Sequence, residues 1–272
     1  MNLENTIALT TSAEMKNIVQ PLDQCFNINY FGHVKIYPDN SHIVLSTNPG
    51  WVECFYTHFH KHGVAHKSID SYQSGYFLCS EMKDQTTFKV MRDDFNIDHC
   101  MNVVKVHSDC VEIFGFATES KNKFMSSWYL NNIDLVEQFI LYFKDNAQAL
   151  INSAEQDRYI LPRNLPAEDD MFAIDQDKRI NFLKQISCQR FYQNGSNIYL
   201  TQKEFSCVLY GIKGLSSKQT GRELSISPRT VEAHLRNVKE KLQVHSMVEV
   251  AVKMIQEYPW LKLHLSDSTS NE

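Results

Sequence analysis

The chain has no run of eighteen or more apolar residues, so nothing in it reads as a membrane-crossing helix. Residues 1–20 are polar and mixed, without the basic-then-apolar order of a secretory leader, and no export signal is expected. Seven cysteines (Cys25, Cys54, Cys79, Cys100, Cys110, Cys188, Cys207) are scattered, odd in number and without a CxxC pair. That pattern suits a reduced, cytoplasmic protein rather than a disulfide framework. No nucleophile–base pair, phosphate-cradling glycine loop or paired carboxylate motif stands out, so neither catalytic residues nor a cofactor are expected, and the protein does not read as an enzyme. No internal repeat is visible.

What is present divides in two. The 272 residues, 43% hydrophobic, are enough for two domains with separate cores. Residues 199–265 hold ten Lys/Arg against six Asp/Glu, a net +4, whereas the first 198 residues sum to −7. An acidic module joined to a mildly basic one suggests two jobs. The boundaries follow composition. Residues 1–160 form a first domain, 161–198 a linker that starts with two prolines and contains a short helix near 178–192, 199–265 a second domain, and 266–272 a disordered tail.

In the first domain the apolar period alternates between helix and strand. Residues 12–23 read as a helix. Residues 30–37 and 42–46 read as a hairpin around Pro38 to Ser41, and Asn48-Pro49 caps a helix reaching about His60. Residues 75–80, 101–107 and 111–117 read as strands, and 132–152 as the clearest helix. Hairpin-linked strands among helices imply an α+β fold: an N-terminal α/β/α sandwich with an antiparallel sheet, followed by a four-helix C-terminal domain of helix-turn-helix type.

The four C-terminal helices announce themselves by their caps. Thr201-x-x-Glu204, Ser216-x-x-Gln219 and Ser246-x-x-Glu249 are capping boxes, and Ser227-Pro228 starts the remaining helix. That third helix buries Val231, Leu235, Val238 and Leu242 on one stripe. Its other side carries Arg229, Glu232, Ala233, Arg236 and Lys239. Such a face suits the major groove, where Arg grips guanine, Glu accepts from cytosine and Ala touches a thymine methyl. Lys218, Arg222, Lys239 and Lys241 are placed for phosphates.

The segments Leu200-Thr-Gln-Lys-Glu-Phe, Gly214-Leu-Ser-Ser-Lys-Gln, Leu224-Ser-Ile-Ser-Pro-Arg-Thr-Val-Glu-Ala-His and Lys239-Glu-Lys-Leu-Gln-Val closely resemble the LuxR-type DNA-binding domain, in order and spacing. The resemblance covers about a quarter of the chain. It departs at Thr220-Gly221, where Ile-Ala is usual and a looser second helix is implied, and at Ser225, where a turn glycine is usual. By resemblance Glu232, Ala233 and Arg236 face bases, while Lys218, Arg229, Thr230 and Lys239 hold the DNA backbone. It also implies double-stranded DNA as partner, a homodimer formed through the last helix, and contact with RNA polymerase. The N-terminal domain does not match a phosphoacceptor receiver, because Asp93-Asp94 is its only early acidic pair and follows a helical segment.

That domain resembles the autoinducer-binding domain of quorum-sensing LuxR-type regulators, through Trp51-Val-Glu-Cys-Phe55 on a helix after a hairpin. The ligand-gripping Asp of that family falls on Val64, its second Trp on Cys79, and its Tyr on Phe55. The resemblance implies a pocket lined by Tyr30, Trp51, Phe55, Tyr56, Phe59, Val64, Tyr76 and Cys79, suited to a small apolar or amphipathic signal. The alternative is a ligand-independent regulator whose first domain serves dimerisation or protein interaction. His58, His60, His62 and His66 form a run, but Gly63 breaks the helix that would align His58 with His62, and no metal site is expected.

Overall fold

The computed structural model describes residues 7–59, 69–82, 85–160 and 195–261, together with 178, 182, 185, 186 and 188–193. The chain divides into two compact units, residues 1–173 and 174–272. Among the described residues no helix is long and apolar enough to cross a membrane.

Unit one begins with α1 (Ile7–Thr10) and α2 (Ser12–Phe26). The hairpin β1 (Tyr30–Ile36) and β2 (Ser41–Ser46) follows, its turn closed by Asn40 at φ 68° and by Asp39 accepting from Ser41. Asn48 caps α3 (Pro49–Cys54) by accepting from the Trp51 amide at 3.0 Å. The α-helix expected to reach His60 ends at Cys54 and widens into a π-turn over Phe55–Phe59. Then come β3 (Gly75–Leu78), a 3₁₀ turn (Cys79–Glu81), α4 (Thr86–Phe95), β4 (Asp98–Val106), β5 (Val111–Thr118) and α5 (Met125–Asn131). The single long helix expected over 132–152 is two, α6 (Ile133–Asn146) and α7 (Gln148–Gln156), broken where Ala147 takes φ −95°, ψ 10°. The short β6 (Tyr159–Ile160) pairs with the start of β2.

The strands form one antiparallel sheet in the order β3-β4-β5-β1-β2-β6. Alternation sends Phe31, Ile43, Leu45, Met101, Val103, Phe114 and Phe116 to one face, where α2, α5, α6 and α7 cover them. The other face, with Tyr30, Cys100 and Ala117, meets α3 and α4. This is the α/β/α sandwich with an antiparallel sheet.

One buried carboxylate ties the first face to its helices. Glu112 on β5 accepts from His33 of β1 (3.3 Å), from His107 (3.0 Å) and from Lys144 of α6 (2.7 Å). Burial pushes its pKa up, but the hydrogen bonds from His33 and Lys144 and the lysine's charge outweigh this and hold it well below the usual carboxylate range. His33 is fully buried, and desolvation lowers its pKa against the pull of Glu112. It therefore sits neutral, donating through Nε2.

Unit two opens with a feature not anticipated. Of the helix expected near 178–192, Lys178, Phe182 and Gln185 are helical, but its last three residues are strand β7 (Arg190–Tyr192), paired with β8 (Tyr199–Thr201). Phe191 stacks on Phe205 at 3.7 Å and 8°, so the aromatic side chains of the hairpin complete the C-terminal core. Four helices follow: α8 (Gln202–Ile212), α9 (Ser217–Leu224), α10 (Pro228–Leu242) and α11 (Met247–Glu257). All four N-caps are made by Thr201, Ser216, Ser227 and Ser246, and the capping box closes at Thr201 and Ser216, but at Ser246 it does not, because Glu249 accepts from the His245 amide rather than from that of Ser246.

The α9–α10 crossing leaves no room for a side chain at Gly221. A Cβ there would stand 2.7 Å from the Ile226 carbonyl oxygen. Helix α9 is consequently not loosened by its glycine. It runs its full eight residues and closes on Ser225 at φ 54°, with the Ile226 amide bonded to the Gly221 carbonyl at 2.9 Å.

These contacts set the stability of both units. In an exposed helix Gly→Ala stabilises by about 1 kcal/mol; here Gly221→Ala should destabilise by about 1–3 kcal/mol through forced backbone movement. Ser225→Gly, by relieving a left-handed residue, should stabilise by about 0.5–1 kcal/mol. Hydrogen exchange of the α9 and α10 amides reads both, and a stabilising Gly221→Ala would refute the crossing geometry. For unit one, a carboxylate with a lowered folded pKa contributes stability above its unfolded value of 4.5 that is lost as pH falls through the folded value. Neutral His33 adds a loss in the same direction, setting in below its unfolded value of 6.5. Glu112→Gln should cost about 1–3 kcal/mol near neutrality. The gap from wild type should narrow progressively as pH falls below about 4.5, where the carboxyl of the unfolded chain takes up its proton before that of the folded chain does. Urea titrations at several pH values test this; a gap independent of pH would count against it.

Candidate functional site

Helix α10 is shaped by one apolar stripe. Val231, Val238 and Leu242 are buried and Leu235 packs beside them. The residues between them must therefore face outward. Arg229, Thr230, Glu232 and Arg236 are exposed, and Ala233 and Lys239 are partly so. On α9, Lys218 and Arg222 are exposed as well. Lys218, Arg222, Arg229 and Arg236 make no ion pair among the described residues. Ser227 fixes the start of the helix by accepting from the Thr230 amide at 3.0 Å, and its hydroxyl lies 2.8 Å from that of Thr230. Thr230 thus has a local partner, while the first turn of α10 opens to solvent.

Lys241 is a correction. It does not stand out toward a phosphate but reaches Glu204 at 2.7 Å. Glu204 is buried, and it also accepts from the Thr201 amide at 2.8 Å. Burial raises its pKa, but Lys241 and the Thr201 donors outweigh that and keep it ionised below the usual value. The lysine thereby locks the end of α10 to the start of α8.

In unit one, the sheet face beneath α3 and α4 encloses a cavity of about 130 Å³. Its floor is open because two glycines face each other across β1 and β5, Gly32 opposite Gly115. A Cβ on Gly115 would press the Asn102 side-chain oxygen at 3.1 Å, and one on Gly32 the Tyr30 hydroxyl at 3.0 Å. Trp51, Phe55 and Tyr56 of α3 and its π-turn, with Phe88 and Met91 of α4, form the roof. Polar groups are few and already engaged. His42 Nε2 and the Tyr56 hydroxyl are 2.6 Å apart. Burial raises the Tyr30 phenol well above its ordinary range. No Asp, Glu, Lys or Arg lines the cavity among the described residues.

Four of the eight residues expected at this site line it: Tyr30, Trp51, Phe55 and Tyr56. Phe59 stands behind, its ring 6.4 Å from that of Trp51. Cys79 is buried beside Asn102, which donates to its sulfur at 3.4 Å. Tyr76 points the other way. It lies opposite Val103, a residue of the first face, and its hydroxyl donates to Glu137 of α6 at 2.8 Å. Strand alternation forbids it from sharing a face with Asn102. Val64 and the histidines after His58 lie outside the described residues, as does the side chain of Asp70. Gly32, Val34, His42, Val44, Asn102 and Gly115 line the cavity and were missed, although period-two alternation from Tyr30 reaches Gly32 and Val34.

Residues 199–254 match the family model described as bacterial regulatory proteins, luxR family. Over 75 residues the chain is 33% identical to the nitrate/nitrite response regulator protein homolog of Haemophilus influenzae, covering 28% of this chain and 36% of that protein. Over 72 residues it is 35% identical to the Fimbriae Z protein of Escherichia coli K12, covering 26% and 33%. The chain thus spans about a third of the length of these curated relatives. Among solved structures it aligns with Escherichia coli SdiA over 91% of each chain, at 12% identity and a TM-score of 0.36. A second SdiA structure, in complex with octanoyl-rac-glycerol, aligns at 12% identity and a TM-score of 0.35 over 91% of this chain and 88% of that one. The motifs, the four capped helices and the match to the luxR family model coincide on the same residues of the C-terminal domain.

Proposed function

We propose that this protein is a sequence-specific DNA-binding transcriptional regulator, cytoplasmic and homodimeric, whose N-terminal domain holds a small neutral molecule. One observation carries the first part: within the family-matched residues, α10 turns Arg229, Glu232, Ala233 and Arg236 outward from its core stripe. In this reading Glu232, Ala233 and Arg236 meet base edges, while Lys218, Arg229, Thr230 and Lys239 hold phosphates. DNA-bound dimers would then act on transcription through RNA polymerase.

Arg236→Ala should cost about 1–3 kcal/mol on the best operator and relax discrimination at one base pair. Lys218→Ala should weaken all sequences alike and reduce the salt slope by about one. Binding of a selected operator at several salt concentrations checks both. Wild-type affinity in both variants would put the groove elsewhere.

The ligand part rests on the glycine-floored cavity and its lack of charged lining. At about 130 Å³ it is comparable to a cavity that takes up benzene, so a larger guest requires the aromatic roof to move. Its walls favour a neutral, largely apolar molecule. An acyl-homoserine lactone would bury an amide N–H without a carboxylate on this wall, a cost of about 1–3 kcal/mol. Calorimetric titration with lactones of graded chain length and with a neutral monoacylglycerol tests this. The glyceride should bind at least as well as every lactone, and Gly115→Val should abolish its binding. Asp70 is the first acid after Val64 in the sequence, and micromolar lactone binding lost in Asp70→Asn would restore an acid-gripped ligand instead. The small volume also keeps a second reading in play, in which the first domain serves dimerisation or protein interaction alone. No binding by either class, with a dimer that persists, would select it.

A further inference from the structure

The end of β3 and the start of β4 bring two cysteines face to face. Leu78 pairs with Met101, so the next antiparallel position sets Cys79 opposite Cys100. Both are buried. Asn102 touches both sulfurs: its Nδ2 donates to Cys79 at 3.4 Å, and the Cys100 thiol lies 3.9 Å from its Oδ1. The nearby Cys100 thiol adds to the burial that disfavours ionisation of Cys79. Opposed residues on antiparallel strands hold their Cα atoms about 4.5–5.5 Å apart, within the 4.4–6.8 Å or so that a disulfide spans.

The two sulfurs are not equivalent. Cys100 lines the apolar cavity, whereas Cys79 stands behind Asn102. Burial raises the Cys79 thiol well above its ordinary pKa, so it is held protonated.

We propose that Cys79 and Cys100 form a redox pair that closes to a disulfide when an organic hydroperoxide enters the cavity. The Cys100 thiol sulfur attacks the outer peroxide oxygen. The O–O bond breaks, and the departing alkoxide takes up the proton that the thiol gave up, leaving as an alcohol. Cys100 is then a sulfenic acid. The Cys79 sulfur attacks the Cys100 sulfur, the S–O bond breaks, and hydroxide leaves as water with the Cys79 proton. Two thiols lose two electrons in all, and the peroxide is reduced to alcohol and water. The cavity selects the oxidant by polarity, because surface cysteines have no such access filter. This step needs only the cavity and the thiols, not a signal molecule.

Cys25 and Cys188 are exposed and supply an internal comparison. The full chain, reduced and then treated with tert-butyl hydroperoxide, whose compact skeleton suits a cavity of about 130 Å³, is alkylated and mapped by mass spectrometry. The expected product joins the Cys79 and Cys100 peptides, is lighter by two hydrogens, and is restored to alkylatable thiols by dithiothreitol. In Cys79→Ala, Cys100 should be trapped by dimedone as a sulfenic acid. In Cys100→Ala, Cys79 should stay fully alkylatable. The cross-link is read in the unsubstituted chain, so the proposal remains falsifiable even where a variant does not fold. Full alkylation of Cys79 and Cys100, under conditions that oxidise Cys25 and Cys188, overturns the proposal. So does a cross-link that joins either of them to a different cysteine.

Discussion

A six-stranded sheet inside a small domain must be covered on both faces, and the two faces here meet that requirement with different materials. The first is packed with phenylalanines. Phe31 lies within 5.3 Å of the rings of Phe116, Phe139 and Phe143, and the helices above it close over a dense aromatic layer. The second is built from glycines in the sheet and aromatic rings above it. Removing side chains from the middle strands while keeping large rings on the covering helices leaves a void by construction. The cavity is therefore set by the same alternation that makes the core. Each residue that turns toward Phe31 has neighbours that turn toward Trp51.

Charge is handled in the same economical way in both units. Glu112 and Glu204 are each buried carboxylates with a lysine at 2.7 Å, and each joins a helix to another element. Both are also hydrogen-bonded by neutral donors, His33 in one case and the Thr201 amide in the other. A buried ion pair adds little net stability, but it allows few alternative arrangements. In the C-terminal domain this helps fix the pose of α10, whose outward side chains have no other restraint along most of their length.

Much of this is legible in the sequence, for physical reasons. Caps are local, so Thr201, Ser216, Ser227 and Ser246 can be read directly, and the strand alternation around Tyr30 and Phe31 is equally local. What depends on partners distant in the chain is harder. Tyr76 reads as a cavity residue because its strand borders the cavity, but its register with Val103 turns it away. Lys241 looks like a surface cation because nothing nearby in sequence reveals a buried acid 37 positions earlier. Gly221 looks like a weakness because the Ile226 carbonyl is brought against it only where the chain turns into α10. The hairpin before α8, like Gly32 and Val34, is an omission that local signals could have prevented. Asn194-Gly195 stands between runs rich in aromatic residues, a familiar pattern for a tight turn between strands.

That hairpin bears on how the domain could be inherited or moved between proteins. The family-matched segment begins at residue 199, yet the ring of Phe191 is stacked flat on Phe205, and the Tyr258 hydroxyl donates to the Tyr192 carbonyl at 2.8 Å. The unit that can be shuffled as a whole is therefore longer than the segment that similarity marks out. A fusion joined at residue 199 would strip β8 of its partner and uncover an aromatic ring in the core, whereas one joined ahead of Arg190 would carry its own lid with it. In this chain the seam between modules lies upstream of the border of the shared motif, and recombination that respected only the motif would cut through a folded edge.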